Sequence, residues 1–181
     1  KKLSGIKASG KTKYPILFHH GLINLENLTK LSQFNRIPDF LRRRGFNIFV
    51  SSVSSFKEIE RRAKELALQL DEVLENNSSD KVNIVAHSLG GLDARYLISV
   101  LGYHDKVASL TMISTPNKGV YIVDVFLGKE NSSALTWPLR KGAKYLLGTL
   151  ESFFGTKTCL EKLTSEYIKN VFNKEVINHP S

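Results

Sequence analysis

The segment Ala86-His87-Ser88-Leu89-Gly90-Gly91 holds the residue types of a nucleophilic turn. A serine at a sharp strand-to-helix turn takes a strained backbone, lifts its hydroxyl clear of the sheet and sits at the positive end of the helix. Such a turn tolerates only small side chains where the strand folds back against the helix. Ala86 and Gly90 occupy those positions, with Gly91 beyond them. Ser88 is therefore the candidate nucleophile for acyl transfer. Its attack on a carbonyl creates an oxyanion that backbone N–H groups must stabilise. Leu89 N–H is one candidate donor. The second is expected from a loop after an earlier strand, and His19-His20-Gly21-Leu22 supplies Leu22 N–H, with Gly21 allowing close backbone approach. This chemistry calls for no cofactor and no metal.

Alternating strands and helices must position these groups. Tyr14-Pro15-Ile16-Leu17-Phe18 is a short apolar run expected to be a buried strand. Ile37-Pro38 to Arg44-Gly45 reads as a short helix, with proline in its first turn, arginines in its last and glycine just past its end. Phe46 to Val50 is a second strand, and Ser55 with Glu58 offers a capping box for the next helix. In that helix Ile59, Ala63, Leu66, Leu70, Val73 and Leu74 share one face, and Asn76 to Asp80 ends it in a loop. Val82 to Ala86, Gly90 to Leu101 and Val107 to Ile113 follow as strand, helix and strand. The fold class expected is α/β, a doubly wound parallel sheet covered on both faces.

After Thr115-Pro116 the alternation stops, and 120–172 reads as helices and loops. Leu139, Ala143, Leu146, Leu147, Leu150, Phe153 and Phe154 form one apolar face; Leu160, Leu163, Tyr167 and Val171 form another on a separate helix. The domain organisation expected is a basic flexible arm over 1–13, a core over 14–119 and a helical lid region over 120–181, with C-terminal core strands absent.

The 181 residues, 41% hydrophobic and 24% charged, suit one globular domain and exclude disorder and collagen-like repeats. No apolar run nears the ~18 residues that a membrane span needs, so the chain is read as soluble. A net charge of +9 favours anionic partners. The lysines are scattered without aromatic interleaving, which argues against nucleic acid. Cys159 has no internal disulfide partner and is expected to be a buried thiol. Gly5 to Thr12 matches the letters of a phosphate-binding loop, but no strand precedes it and no helix follows, so nucleotide binding is not expected.

Four ordered blocks resemble the bacterial triacylglycerol lipases of the Pseudomonas and Burkholderia type: Tyr14 to Leu22, Ile37 to Gly45, Val82 to Gly91 with Arg95-Tyr96, and Thr115-Pro116-Asn117-Lys118-Gly119. Leu160 to Glu166 and Phe172-Asn173 resemble the segment that closes the lid region there. The resemblance implies an α/β-hydrolase that hydrolyses carboxylic esters of lipids at a lipid–water interface. Ser88 matches the nucleophile, Leu22 and Leu89 match the oxyanion-hole positions, and 120–172 matches the lid. It also favours a secreted or membrane-associated protein.

In that family the catalytic acid and histidine follow the lid. Matching residues are absent, as are the calcium-binding aspartates and the disulfide, so the sheet is expected to be truncated after the lid region. Asp105 or Asp124 followed by His179 would satisfy the chain order, though His179 lies in a terminal stretch expected to fray. Otherwise a second chain or a missing C-terminal segment must supply Asp and His. The alternative reading is a catalytically incomplete lipase-like fragment or pseudoenzyme that binds anionic lipid surfaces or a partner chain.

Overall fold

The apolar runs form four parallel strands whose side chains divide between two layers of helix. The computed structural model describes residues 12–22, 34–128, 141, 142, 145, 148 and 157–177. The basic arm up to residue 11, with the phosphate-loop pattern in it, and the apolar face from Leu139 to Phe154 lie outside the described residues. In order come β1 (Ile16–His19), α1 (Ile37–Arg42), β2 (Ile48–Val50), α2 (Ile59–Asn77), β3 (Val82–His87), α3 (Leu89–Ser99), a 3-10 turn (Tyr103–Lys106) and β4 (Val107–Ile113). The described part of the C-terminal third is helical: α4 (Tyr121–Phe126), α5 (Lys157–Glu161), α6 (Ser165–Tyr167), a π turn (Ile168–Phe172) and α7 (Asn173–Glu175).

The sheet order is β2-β1-β3-β4, all parallel. Successive side chains of a strand point to opposite faces. Leu17, Val82, Ile84 and Ala86 accordingly pack on one face with Ala63, Leu66, Leu70 and Val73 of α2 and with Ala94 and Leu97 of α3. Phe18 and Ile48 pack on the other with Phe34, Leu41 and Val85. All six residues expected on the apolar face of α2 are buried. The helix at Ile37 has Pro38 in its first turn, and the chain leaves it at Gly45 with φ 85°, a conformation glycine adopts without the penalty of a Cβ.

Three local expectations are corrected. The capping box at Ser55 does not cap α2: its N-cap is Glu58, with no side-chain cap bond. The Glu58 carboxylate instead pairs with Lys162 at 2.8 Å, and Glu60 takes the same ammonium at 2.6 Å, tying the end of α5 to the start of α2. The face expected from Leu160 through Val171 is not on one helix. Thr164 accepts a hydrogen bond from Tyr167 N and restarts the helix, and the π turn shifts its phase. Ile168 and Phe172 are thereby buried and Val171 is exposed. Finally, the sheet is not covered along its whole width. At the edge strand β4, Met112 is 41% and Ile113 43% exposed, although β1 and β3 are enclosed. No described helix is long and apolar enough to cross a membrane.

Candidate active site

β3 ends at His87 and α3 begins at Leu89, so the chain turns at Ser88 alone. Ser88 has φ 54° and ψ −127°, a sparsely populated conformation whose strain is of order 1–3 kcal/mol. Two backbone bonds hold it: Ser88 N donates to Ile113 O at 2.8 Å, and Ser88 O accepts from Gly91 N at 3.0 Å. The small neighbours have definite reasons. A Cβ on Gly90 would lie 2.5 Å from His20 O, and one on Gly91 would collide with the Thr115 side chain. Ala86 is fully buried.

The pairing of β1 with β3 sets His19 beside Ala86. The segments His20-Gly21-Leu22 and His87-Ser88-Leu89 therefore leave the same end of adjacent parallel strands, where active-site loops of open α/β sheets gather. Leu22 and Leu89 pack in one apolar cluster with Ile59, Leu92 and Val123. The three sequence-derived site residues are thus brought to one end of the sheet.

Beneath that end lies a polar network that sequence reasoning missed. Asp93 Oδ2 accepts from Arg62 Nε at 2.8 Å and from His19 Nε2 at 3.0 Å, while His19 Nδ1 meets Ser51 Oγ at 2.6 Å. Arg62, Asp93 and His19 are fully buried and Ser51 nearly so. The order Ser51, His19, Asp93 imitates a catalytic triad, but a hydroxyl sealed from solvent cannot reach a substrate. Its role is structural. A signal for it existed: Arg62 lies three residues after Ile59 and four before Leu66, on the apolar face of α2.

Neither histidine of this loop is available as a base. Burial drives the His19 pKa down against the pull of Asp93. His20 is lowered to about 4, by burial first and then by the Arg62 charge. The His20 ring donates from Nδ1 to Gly21 O at 2.9 Å and accepts Val53 N–H on Nε2 at 3.1 Å, which fixes the neutral tautomer. Between pH 6.5 and about 4 the unfolded chain therefore binds protons that the folded chain refuses, and stability falls as pH falls through that window. For His20 the expected loss is roughly 2–3 kcal/mol, from ~1.4 kcal/mol per pKa unit. Urea unfolding midpoints at pH 7, 5.5 and 4.5 should decline steadily, with a shallower decline in His20→Gln.

Other candidates are placed as follows. His104 is partly exposed and its Nε2 lies 3.5 Å from Asp105 Oδ2, in keeping with a solvated histidine. Asp124 is buried and its Oδ1 accepts from Ser165 N at 2.9 Å, while His179 lies outside the described residues. Cys159 is buried, and burial pushes its thiol pKa up to about 12, so it is inert at neutral pH. Arg95 holds Asn117 Oδ1 at 3.1 Å, Asn173 Oδ1 at 2.9 Å and Val176 O at 3.3 Å, linking α3 to the last described helix.

The chain that carries this turn is matched by known proteins. A family model described as alpha/beta hydrolase fold matches residues 14–174. The chain belongs to this family. Among curated relatives of this chain, a triacylglycerol lipase of Vibrio cholerae is 37% identical over 126 residues, covering 70% of this chain and 40% of the relative. Triacylglycerol lipase 2 of Saccharomyces cerevisiae is 36% identical over 163 residues, 85% of this chain and 44% of the relative. A triacylglycerol lipase of Pseudomonas fragi is 32% identical over 136 residues, 71% of this chain and 46% of the relative. The chain thus spans less than half the length of each of these relatives. Among solved structures, the mature form of Bacillus licheniformis lipase BlEst2 aligns with a TM-score of 0.67 at 21% identity, covering 98% of this chain and 64% of that one, a likeness of fold. The resemblance to bacterial triacylglycerol lipases read from four sequence blocks and the α/β fold class are both borne out.

Proposed function

We propose that Ser88 is the nucleophile of a carboxylic-ester hydrolase acting on lipid esters, with Leu22 N–H and Leu89 N–H as the oxyanion donors. The observation that carries this reading is the backbone of Ser88, strained at the head of an 11-residue helix and followed by Gly90 and Gly91, where no Cβ fits. The helix N-terminus favours the alkoxide that forms there. The names of the relatives point to triacylglycerols as the substrate class. Ser88 Oγ attacks the ester carbonyl as a base takes its proton, the tetrahedral oxyanion lies between the two N–H groups, and the alcohol leaves with a returned proton. Water then releases the fatty acid from the acyl-enzyme.

The base is a histidine outside the described residues, carried by a second chain or a further segment that also supplies the acid. Support comes from the commitment of His19 and His20 to buried hydrogen bonds and from the exposed edge at β4. The segment after residue 119, whose described elements are helices, acts as a lid that opens at a lipid–water interface.

The test is intact-mass detection of a fluorophosphonate adduct, with Ser88→Ala alongside and with imidazole added to stand in for the base. One adduct that maps to Ser88 and vanishes in Ser88→Ala is the expected result. A folded chain that takes no adduct at Ser88 even with imidazole overturns the proposal and leaves a lipid-surface binding protein as the reading to pursue.

A further inference from the structure

The Gly21–Leu22 peptide is the unit whose N–H would face the oxyanion, and its other end is gripped with unusual thoroughness. In a planar trans peptide the C=O and N–H point in opposite directions, so whatever fixes the oxygen fixes the aim of the N–H. The Gly21 oxygen accepts two hydrogen bonds, from Arg62 Nη2 at 2.8 Å and from His20 Nδ1 at 2.9 Å, which fill both of its lone pairs. Arg62 Nη2 also reaches His20 O at 3.0 Å, one peptide earlier. One peptide later, Leu22 O accepts from Phe56 N at 3.0 Å. Phe56 is a buried aromatic residue held at φ 55°, a conformation that is an outlier for a bulky side chain.

The grip is itself held. Arg62 is fully buried, with Nε on Asp93 Oδ2 at 2.8 Å and Nη1 on Ser54 O at 2.8 Å, so its fork cannot rotate away. Val53 N–H occupies His20 Nε2 and leaves the ring proton on Nδ1, facing Gly21 O. A guanidinium charge behind a carbonyl oxygen also draws electrons through the amide, which makes the N–H on its far side a stronger donor.

We infer that Arg62 and His20 are positioning residues that aim and polarise the Gly21–Leu22 peptide, so that the Leu22 N–H is preorganised for an oxyanion at Ser88. This rests on the reading of Ser88 and Leu22 given under the proposed function. A donor fixed before the reaction loses no reorganisation energy during it, and loss of one such donor lowers kcat by about 100- to 1000-fold in other hydrolases.

Two histidine replacements separate this role from simple packing. His20→Asn places an amide N–H near the Nδ1 position and keeps the donor to Gly21 O. His20→Gln keeps a polar group near Nε2 for Val53 but loses that donor. The readouts are the direction of the Leu22 N–H bond, from residual dipolar couplings of the 15N-labelled chain, and the fluorophosphonate reaction of Ser88 with imidazole. For His20→Gln and Arg62→Lys the expected result is a reoriented Leu22 N–H and a rate at saturating probe that falls by about 10- to 100-fold at an unchanged half-saturating concentration. His20→Asn should stay close to the parent in both. Equal behaviour of folded His20→Asn and His20→Gln, or an unmoved Leu22 N–H in His20→Gln, overturns the inference. Should Ser88 of the parent chain take no probe, the hydrolase reading fails, while the N–H direction still decides whether this clamp exists.

Discussion

Asp93→Ala is expected to destabilise the domain by about 3–5 kcal/mol, the loss typical of removing one partner from a buried ion pair. Asp93 Oδ2 is the acceptor for both Arg62 Nε and His19 Nε2, and all three residues are sealed from solvent. Removing the carboxylate leaves a guanidinium charge in the interior without its counterion and leaves the His19 N–H without an acceptor. Neither group can reach water without opening the packing between α2 and α3. Against a total stability of about 5–15 kcal/mol for a domain, the variant would sit at the margin of folding. Asp93→Asn keeps an oxygen acceptor and removes only the charge, so it should lose less. Urea unfolding followed by far-ultraviolet circular dichroism measures both. A loss below about 1 kcal/mol for Asp93→Ala would show that the pair contributes no more than an exposed one.

The same network marks where sequence reading stopped. Strands, helices and the turn at Ser88 are local patterns: an apolar run, a helical period, a small residue where the chain doubles back. They were legible because their cause lies within a few residues. β4, for example, was expected and found over Val107–Ile113. The network joins residues 19, 51, 62 and 93, brought together only when β1, the segment after β2, α2 and α3 pack. Arg62 was visible as a charge on an apolar face, but nothing local named its partner. The misplaced capping box has a similar origin. Ser55 and Glu58 have the right spacing, yet Glu58 finds Lys162 from the far end of the chain. Of the face expected from Leu160, Leu163, Tyr167 and Val171, Leu160 and Leu163 are buried but Val171 is not, because Thr164 and the π turn break a periodicity that a single helix would keep.

Gly90→Ala should invert the usual preference of a helix for alanine over glycine. In an open helix the change gains about 1 kcal/mol, and Gly142, whose would-be Cβ meets none of the described residues within 4 Å, is the control where that sign should hold or the effect be neutral. At Gly90 the new Cβ would meet His20 O at 2.5 Å and His19 Cδ2 at 2.9 Å. Neither neighbour can yield cheaply: His20 O is held by Arg62 Nη2 at 3.0 Å, and the His19 ring is held at both nitrogens. The expected outcome is a loss of about 1–3 kcal/mol, the range for overpacking a closed site, seen as a lower melting temperature than in Gly142→Ala. The displaced atoms belong to the residues that lead into Leu22, so the strain should appear in chemistry as well. With Leu22 N–H as an oxyanion donor, a shift of the loop should slow the reaction of Ser88 with a fluorophosphonate by 100-fold or more in protein that is still folded. A Gly90→Ala chain that melts like Gly142→Ala and reacts at the parent rate would show that the loop has room to move, and that its position beside Ser88 does not govern the reaction.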